Sequence, residues 1–167
     1  MENGKDRKNR PEAFEAAVKY LAASPRSERE VRDKLRSKGY RVAETEEAID
    51  RAKEYRYVDD EAYVRDFFEY YGGKYGRKRL IYKLTAEKGV SQELALRAAD
   101  EYLSDEKELE KAVSFASRYV ASKRIVNKKD FAKVSAFLYQ KGFENSVISK
   151  AVSSLYDGAS DDDDPTE

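Results

Sequence analysis

The sequence predicts an all-α protein of three tandem three-helix repeats in an elongated, curved array, and three observations carry that reading. Apolar residues recur at helical spacing along the chain, as in Val64, Phe67, Phe68, Tyr71, in Leu109, Ala112, Val113, Ala116, and in Ile148, Ala151, Val152, Leu155. No segment of five or more residues alternates with period two between hairpin turn residues, so no strand is expected. Three basic segments end on the same triplet, Lys38-Gly39-Tyr40, Lys88-Gly89-Val90 and Lys141-Gly142-Phe143.

The helices follow from the punctuation between apolar runs. Pro25 precedes Ser27-Glu28-Arg29-Glu30, a capping box in which Ser27 caps and Glu30 reaches back. Asp59, Ser91 and Asn127 are placed to cap later helices. Nine helices result, over residues 12–23, 27–38, 45–56, 59–71, 76–88, 91–103, 106–122, 127–141 and 144–155. Nine and ten residues beyond each triplet glycine stand Ala48-Ile49, Ala98-Ala99 and Ala151-Val152, which sets the same helix face inward in each copy. Val31 and Leu35 correspond to Val134 and Leu138, while Leu84 stands one residue further from its glycine. The repeats are therefore 12–57, 58–104 and 105–156, expected to stack so that neighbours bury one another's apolar faces. A polar arm, 1–11, precedes them, and an acidic tail, 157–167, expected to be disordered, follows.

Composition excludes most catalytic classes. The 167 residues contain neither cysteine nor histidine, which removes disulfides, thiolate metal sites, the commonest zinc ligand and the commonest general base. No catalytic residue, cofactor or metal is expected. The first ten residues carry no secretory signal and no 18-residue apolar run exists, so a cytoplasmic monomer without membrane contact is the expectation.

The 33 basic and 33 acidic residues cancel, so any electrostatic attraction must be local. The signs are segregated. Segment 26–41 has seven basic and three acidic residues, 74–91 has six against Glu87 alone, and 118–141 has seven against Asp130 alone. Segments 44–61 and 92–110 are acidic. Arg29, Arg32 and Arg36 form a stripe turned about 110° from Val31 and Leu35 by the helical rotation. Lys74, Arg77, Lys78, Arg79 and Lys83 cluster in the second repeat, and Lys128, Lys129 and Lys133 in the third. Taken singly, these are solvated helix faces. Because all three repeats place positive charge on the middle helix, they become candidate contacts for phosphates or an acidic protein surface.

Other motifs have simpler readings. A Lys in the last turn followed by Gly is what helix termination favours. Asp59-Asp60 reads as an N-cap and a first-turn acid rather than a metal-binding pair. Gly72, Gly73 and Gly76 do not match a phosphate loop and mark a tight connection. Tyr70, Tyr71 and Tyr75 could stack on bases, although packing with an exposed hydroxyl is the ordinary fate of tyrosine.

Tyr57-Val58-Asp59-Asp60-Glu61-Ala62-Tyr63, then Gly76 to Leu84, then Glu87-Lys88-Gly89-Val90 resemble, in order and spacing, the central pattern of the RecX family. Tyr20-Leu21-Ala22 with Ser27 to Leu35, and Leu138-Tyr139-Gln140-Lys141-Gly142-Phe143, extend the resemblance over about residues 13–155. The chain departs from the family pattern by a residue added between Leu84 and Lys88 and by Arg56 where a glycine is usual before the Asp-Asp pair. The resemblance implies a curved row of three-helix repeats that binds the RecA recombinase filament on single-stranded DNA and lowers its ATPase, strand exchange and growth, with DNA met weakly or through the filament. The alternative reading is a helix-turn-helix-like DNA-binding or nucleoid protein using the same basic helices. The neutral net charge argues against it.

Overall fold

A computed structural model describes residues 11–156; most of the N-terminal arm and the whole acidic tail lie outside the described residues. The first repeat comprises α1 (Ala13–Leu21), α2 (Glu28–Ser37) and α3 (Val42–Glu54). The second comprises α4 (Asp60–Tyr71), α5 (Arg77–Tyr82) continued by a π-helical turn (Lys83–Glu87), and α6 (Gln92–Tyr102). The third comprises α7 (Asp105–Lys123), a 3-10 turn (Lys128–Asp130), α8 (Phe131–Lys141) and α9 (Asn145–Tyr156). Among the described residues there is no strand.

The caps explain where helices begin. Ser27 Oγ accepts from Glu30 N at 3.2 Å while Ser27 N donates to Glu30 Oε2 at 3.0 Å, closing the capping box. Asp59 and Ser91 cap as expected, accepting from Ala62 N and Leu94 N. Most boundaries fall within two residues of the sequence reading, and two helix starts differ by three or more. The third helix starts at Val42 rather than near 45, because Arg41 N donates to Glu44 Oε2 at 2.7 Å and supplies half a capping box without a Ser or Thr to signal it. Asn127 does not cap: its carbonyl takes Asp130 N at 3.0 Å, forming a 3-10 turn from which α8 starts at Phe131 with no side-chain cap.

Each trio closes on its own core, which corrects the expectation that neighbours bury one another's apolar faces. Val31, Leu35, Ala48 and Ile49 belong to the first core; Val64, Leu80, Leu84 and Ala99 to the second; Val134, Leu138, Phe143 and Ala151 to the third. With each buried Val, Leu, Ile or Phe contributing roughly 1.5–3 kcal/mol, the three cores are the main source of stability.

The slipped register of the second repeat has a structural cause. In the outer repeats the residue after the glycine donates five positions back, Tyr40 N to Leu35 O and Phe143 N to Leu138 O, both at 3.2 Å. In the middle repeat Val90 N reaches six back to Leu84 O at 2.9 Å, and Lys88 N donates to Lys83 O at 3.0 Å in a π turn. The added residue is absorbed as a π-helical turn, so Leu84 stays buried like Leu35 and Leu138. Gly39, Gly89 and Gly142 all take left-handed backbone, with φ of 81°, 67° and 89°.

Candidate partner and nucleic-acid interface

The repeats are joined through their middle helices. At the first seam Ser27 Oγ, at the start of α2, donates to Lys88 O, and Lys88 Nζ meets Glu30 Oε1 at 3.0 Å. At the second seam Gly76 N, at the start of α5, donates to Lys141 O at 2.8 Å, and Lys78 N donates to Gly142 O at 3.0 Å. The carbonyls that a helix leaves unpaired at its C-terminus thus receive donors from the N-terminus of the preceding repeat's middle helix, and the dipoles meet with opposite sign. α8 ends where α5 begins, and the π turn ends where α2 begins. The Lys-Gly triplets therefore terminate helices, as read from the sequence, and in the second and third repeats they also receive the neighbouring helix.

A carboxylate from the next repeat grips each of those N-termini. Asp60 Oδ1, on the first helix of the second repeat, accepts from Glu28 N at 2.8 Å. Glu108 Oε2, on the first helix of the third, accepts from Arg77 N at 3.0 Å. Burial raises the Asp60 pKa, a rise that the bond from Glu28 N opposes. Glu108 is 3% exposed, and its other oxygen pairs with the ammonium of Lys111, which also donates to Gly72 O at 2.8 Å. Sequence reasoning missed Glu108 and Lys111, because nothing in an acidic stretch distinguishes a carboxylate that crosses a seam from one on a solvated face.

The predicted contact residues separate into tethered and open groups. Arg32 is not open: its guanidinium bonds Glu46 at 2.8 and 3.0 Å and Glu28 at 2.8 Å, which raises its pKa further. Burial pushes the Glu28 carboxyl up, but the bonds from Arg32 and Lys53 outweigh it and the net shift is downward; Arg32 likewise lowers Glu46. Arg29 lays its stem over Gly89 and faces Asp33 at 3.6 Å. Arg77, expected to face outward, is half-buried, with Nη1 donating to Ala99 O and Nη2 paired to Asp100. Arg79 packs its backbone and Cβ on Gly142, donates to Gln140 O at 2.8 Å and lies over the Tyr75 ring. Lys83 pairs with Glu87 at 3.2 Å, and Lys133 with Asp130 at 2.7 Å, which raises the Lys133 pKa.

Arg36, Lys74, Lys78 and Lys129 are exposed and make no salt bridge among the described residues, although Arg36 is close enough to Glu46 to help lower its pKa. Lys74 stands 3.4 Å over the Tyr70 ring. For Lys128 the backbone of the 3-10 turn is described and the side chain is not. Tyr70, Tyr71 and Tyr75, the candidates for stacking, are engaged with one another and with Lys74, Arg79 and Lys83. Among the described residues no group of three or more acidic side chains could hold a metal ion, and no helix is long and apolar enough to cross a membrane.

Three closed cores, joined end to end through basic helices, define a tandem helical-repeat protein. The family descriptions "RecX, first three-helix domain" and "RecX, third three-helix domain" match residues 13–51 and 105–152. The "Regulatory protein RecX" of Caldanaerobacter subterraneus subsp. tengcongensis is 32% identical over 84% of this chain and 69% of that protein. That of Clostridium botulinum (strain Eklund 17B) is 33% identical over 83% of this chain and 66% of its own length, so the chain spans about two thirds of these relatives. The crystal structure of RecX from Lactobacillus salivarius superposes with a TM-score of 0.77 at 24% identity, over 86% of this chain and 94% of that one. A second crystal structure, of a regulatory protein RecX, gives 0.71 at 21%, over 82% and 68%. The chain belongs to the RecX family of regulatory proteins.

Proposed function

We propose that this protein binds the RecA recombinase filament on single-stranded DNA and lowers its ATPase, strand exchange and growth, using the cationic middle helices as its contact surface. The observation that carries the reading is the end-to-end joining of α2, α5 and α8 at the two seams. A charge bias that each repeat shows separately is thereby gathered on one track of helices, suited to following a polymer rich in regularly spaced phosphates. Arg36, Lys78 and Lys129 are exposed cations of the first, second and third repeats, on or next to that track, that no salt bridge ties down among the described residues, while Arg29, Arg32, Arg77, Arg79, Lys83 and Lys133 shape it.

The test is the ATPase of RecA on single-stranded DNA with the protein titrated in. The unaltered chain is expected to lower turnover in a dose-dependent way, and the triple variant Arg36→Glu, Lys78→Glu, Lys129→Glu to lose that effect while keeping its far-ultraviolet helical signal. These side chains hold no seam bond, so folding and function separate. No effect of the unaltered chain on its cognate RecA would refute the proposal. Full inhibition by the triple variant would remove the middle helices from it.

A further inference from the structure

The joint between the second and third repeats carries a feature that the cationic track does not explain. A groove of about 360 Å³ runs across it, lined by Lys78, Arg79, Tyr82 and Glu87 on one side and by Tyr139 and Phe143 on the other. Tyr82 and Tyr139 are 61% and 63% exposed. Neither ring stacks on another aromatic group or cation, and neither hydroxyl has a hydrogen-bond partner among the described residues. In this they differ from Tyr70, Tyr71 and Tyr75, which occupy one another and the nearby cations. Two uncovered aromatic faces at one joint form a surface on which a planar group can stack.

The charge around the groove selects the occupant. Glu87 is neutralised by Lys83 at 3.2 Å. The Arg79 guanidinium is oriented by a neutral carbonyl, Gln140 O, and the Lys78 ammonium has no partner among the described residues. The groove therefore offers two uncompensated positive charges beside two open rings. An anionic chain that carries a planar ring on each unit satisfies both features by its repeat alone, whereas an acidic peptide satisfies the charges and covers the rings only where it also carries aromatic or apolar side chains at the matching spacing. A duplex, whose bases are stacked and paired, presents no face to the rings.

We infer that the α5–α8 joint is a binding site for single-stranded nucleic acid, with bases stacked on Tyr82 and Tyr139 and the backbone phosphates held by Lys78 and Arg79. The site deepens the filament reading by assigning the strand to one joint, yet it is stated for the protein alone. Its failure is thereby separable from failure of the RecA reading. Arg79 has a double part, since its backbone and stem close the seam on Gly142 while its guanidinium faces the strand.

The test is fluorescence anisotropy of a labelled oligothymidine titrated with the full chain at low salt, with no RecA present. Tyr82→Ala and Tyr139→Ala are each expected to weaken binding roughly tenfold, within the range that stacking on an aromatic side chain supports, and Phe at either position to retain it. Lys78→Gln is expected to reduce the magnitude of the log K against log salt slope by about 0.7, the loss of one phosphate contact on a single strand. No binding by the unaltered chain, or wild-type affinity in the double alanine variant, would overturn the inference. So would a Phe variant that falls as far as the Ala variant, since the hydroxyl rather than the ring would then make the contact. If the alanine variants lose filament inhibition while their affinity for oligothymidine is unchanged, the groove meets a protein surface and the inference fails.

Discussion

Gly142→Ala probes the seam on which the whole arrangement depends. The residue has φ of 89°, and a Cβ built there would stand 2.3 Å from Arg79 Cβ, 2.7 Å from Arg79 N and 3.0 Å from Arg79 Cα. Two costs follow. The left-handed backbone alone costs an L-residue about 1–2 kcal/mol. The second cost arises because backbone atoms cannot swing aside: α5 must withdraw, weakening the bonds from Gly76 N to Lys141 O and from Lys78 N to Gly142 O. At roughly 0.5–1.5 kcal/mol net for each bond, the total is about 2–5 kcal/mol. Gly89→Ala is the comparison, because it has the same left-handed strain, with φ of 67°, but of its neighbours the Cδ and Cγ of Arg29 can rotate away and only the Arg29 Cβ, at 2.8 Å, is fixed by the backbone of α2. It should cost about 1–2 kcal/mol for the backbone plus a small shift of α2, less than Gly142→Ala, whose contacts include the backbone N and Cα of Arg79. Urea unfolding followed by far-ultraviolet circular dichroism gives both values, and amide exchange at Gly76 and Lys78 reports whether the seam has opened. If Gly142→Ala costs no more than Gly89→Ala, the joint is yielding and the close approach of α5 to α8 is not what holds the repeats in line.

Two further outcomes test local features. Arg56 holds φ of 54° where the family resemblance leads one to expect glycine, and its side chain makes no bond among the described residues, so Arg56→Gly should stabilise the protein. The left-handed strain relieved, less the greater unfolded-state freedom of glycine, leaves a gain of about 0.5–1 kcal/mol, visible as a rise of a few degrees in thermal midpoint; a lower midpoint would show that the guanidinium stabilises the fold. In the Arg32 cluster, the carboxyls of Glu28 and Glu46 are lowered in the folded state. Their contribution is therefore fully present above the ordinary glutamate pKa, about 4.3, and is lost as pH falls through the lower folded values. Arg32→Ala should thus lower stability at pH 7, lose less of what remains on acidification, and show a difference from the unaltered chain that shrinks below about pH 4; a gap constant from pH 7 to pH 3 would refute the linkage.

Local sequence carried most of the fold. Helical spacing identified Val31, Leu35, Leu84, Val134 and Leu138 as inward residues, and all five are buried, because a period of 3.6 residues specifies a face without reference to anything distant. The capping box at Ser27 and the caps at Asp59 and Ser91 were legible for the same reason, since a cap is a contact over three residues. The extra residue before Lys88 was visible as a slip in register, but its resolution as a π turn was not, because a helix can absorb an insertion by bulging, by kinking or by fraying.

The surface was less legible. Periodicity set Arg32 and Arg77 off the buried stripe and led to the expectation that they face outward, yet both are half-buried, because it could not show that Glu46 and Asp100, 14 and 23 residues away, would be waiting there. It could have flagged Tyr82 and Tyr139, which lie about 200° and 100° from Leu84 and Leu138 by the helical rotation and so point off the buried stripe. What the sequence by itself determined was three amphipathic trios with basic middle helices, because amphipathicity and capping are local properties of a chain. Only the tertiary structure decided that Lys88 and Lys141 receive the helix of the preceding repeat, that Glu108 crosses a seam, and that two tyrosines 57 residues apart share a groove. Those pairings depend on how separate cores are set against one another, and that geometry is fixed by contacts between residues whose separation along the chain carries no periodic signal.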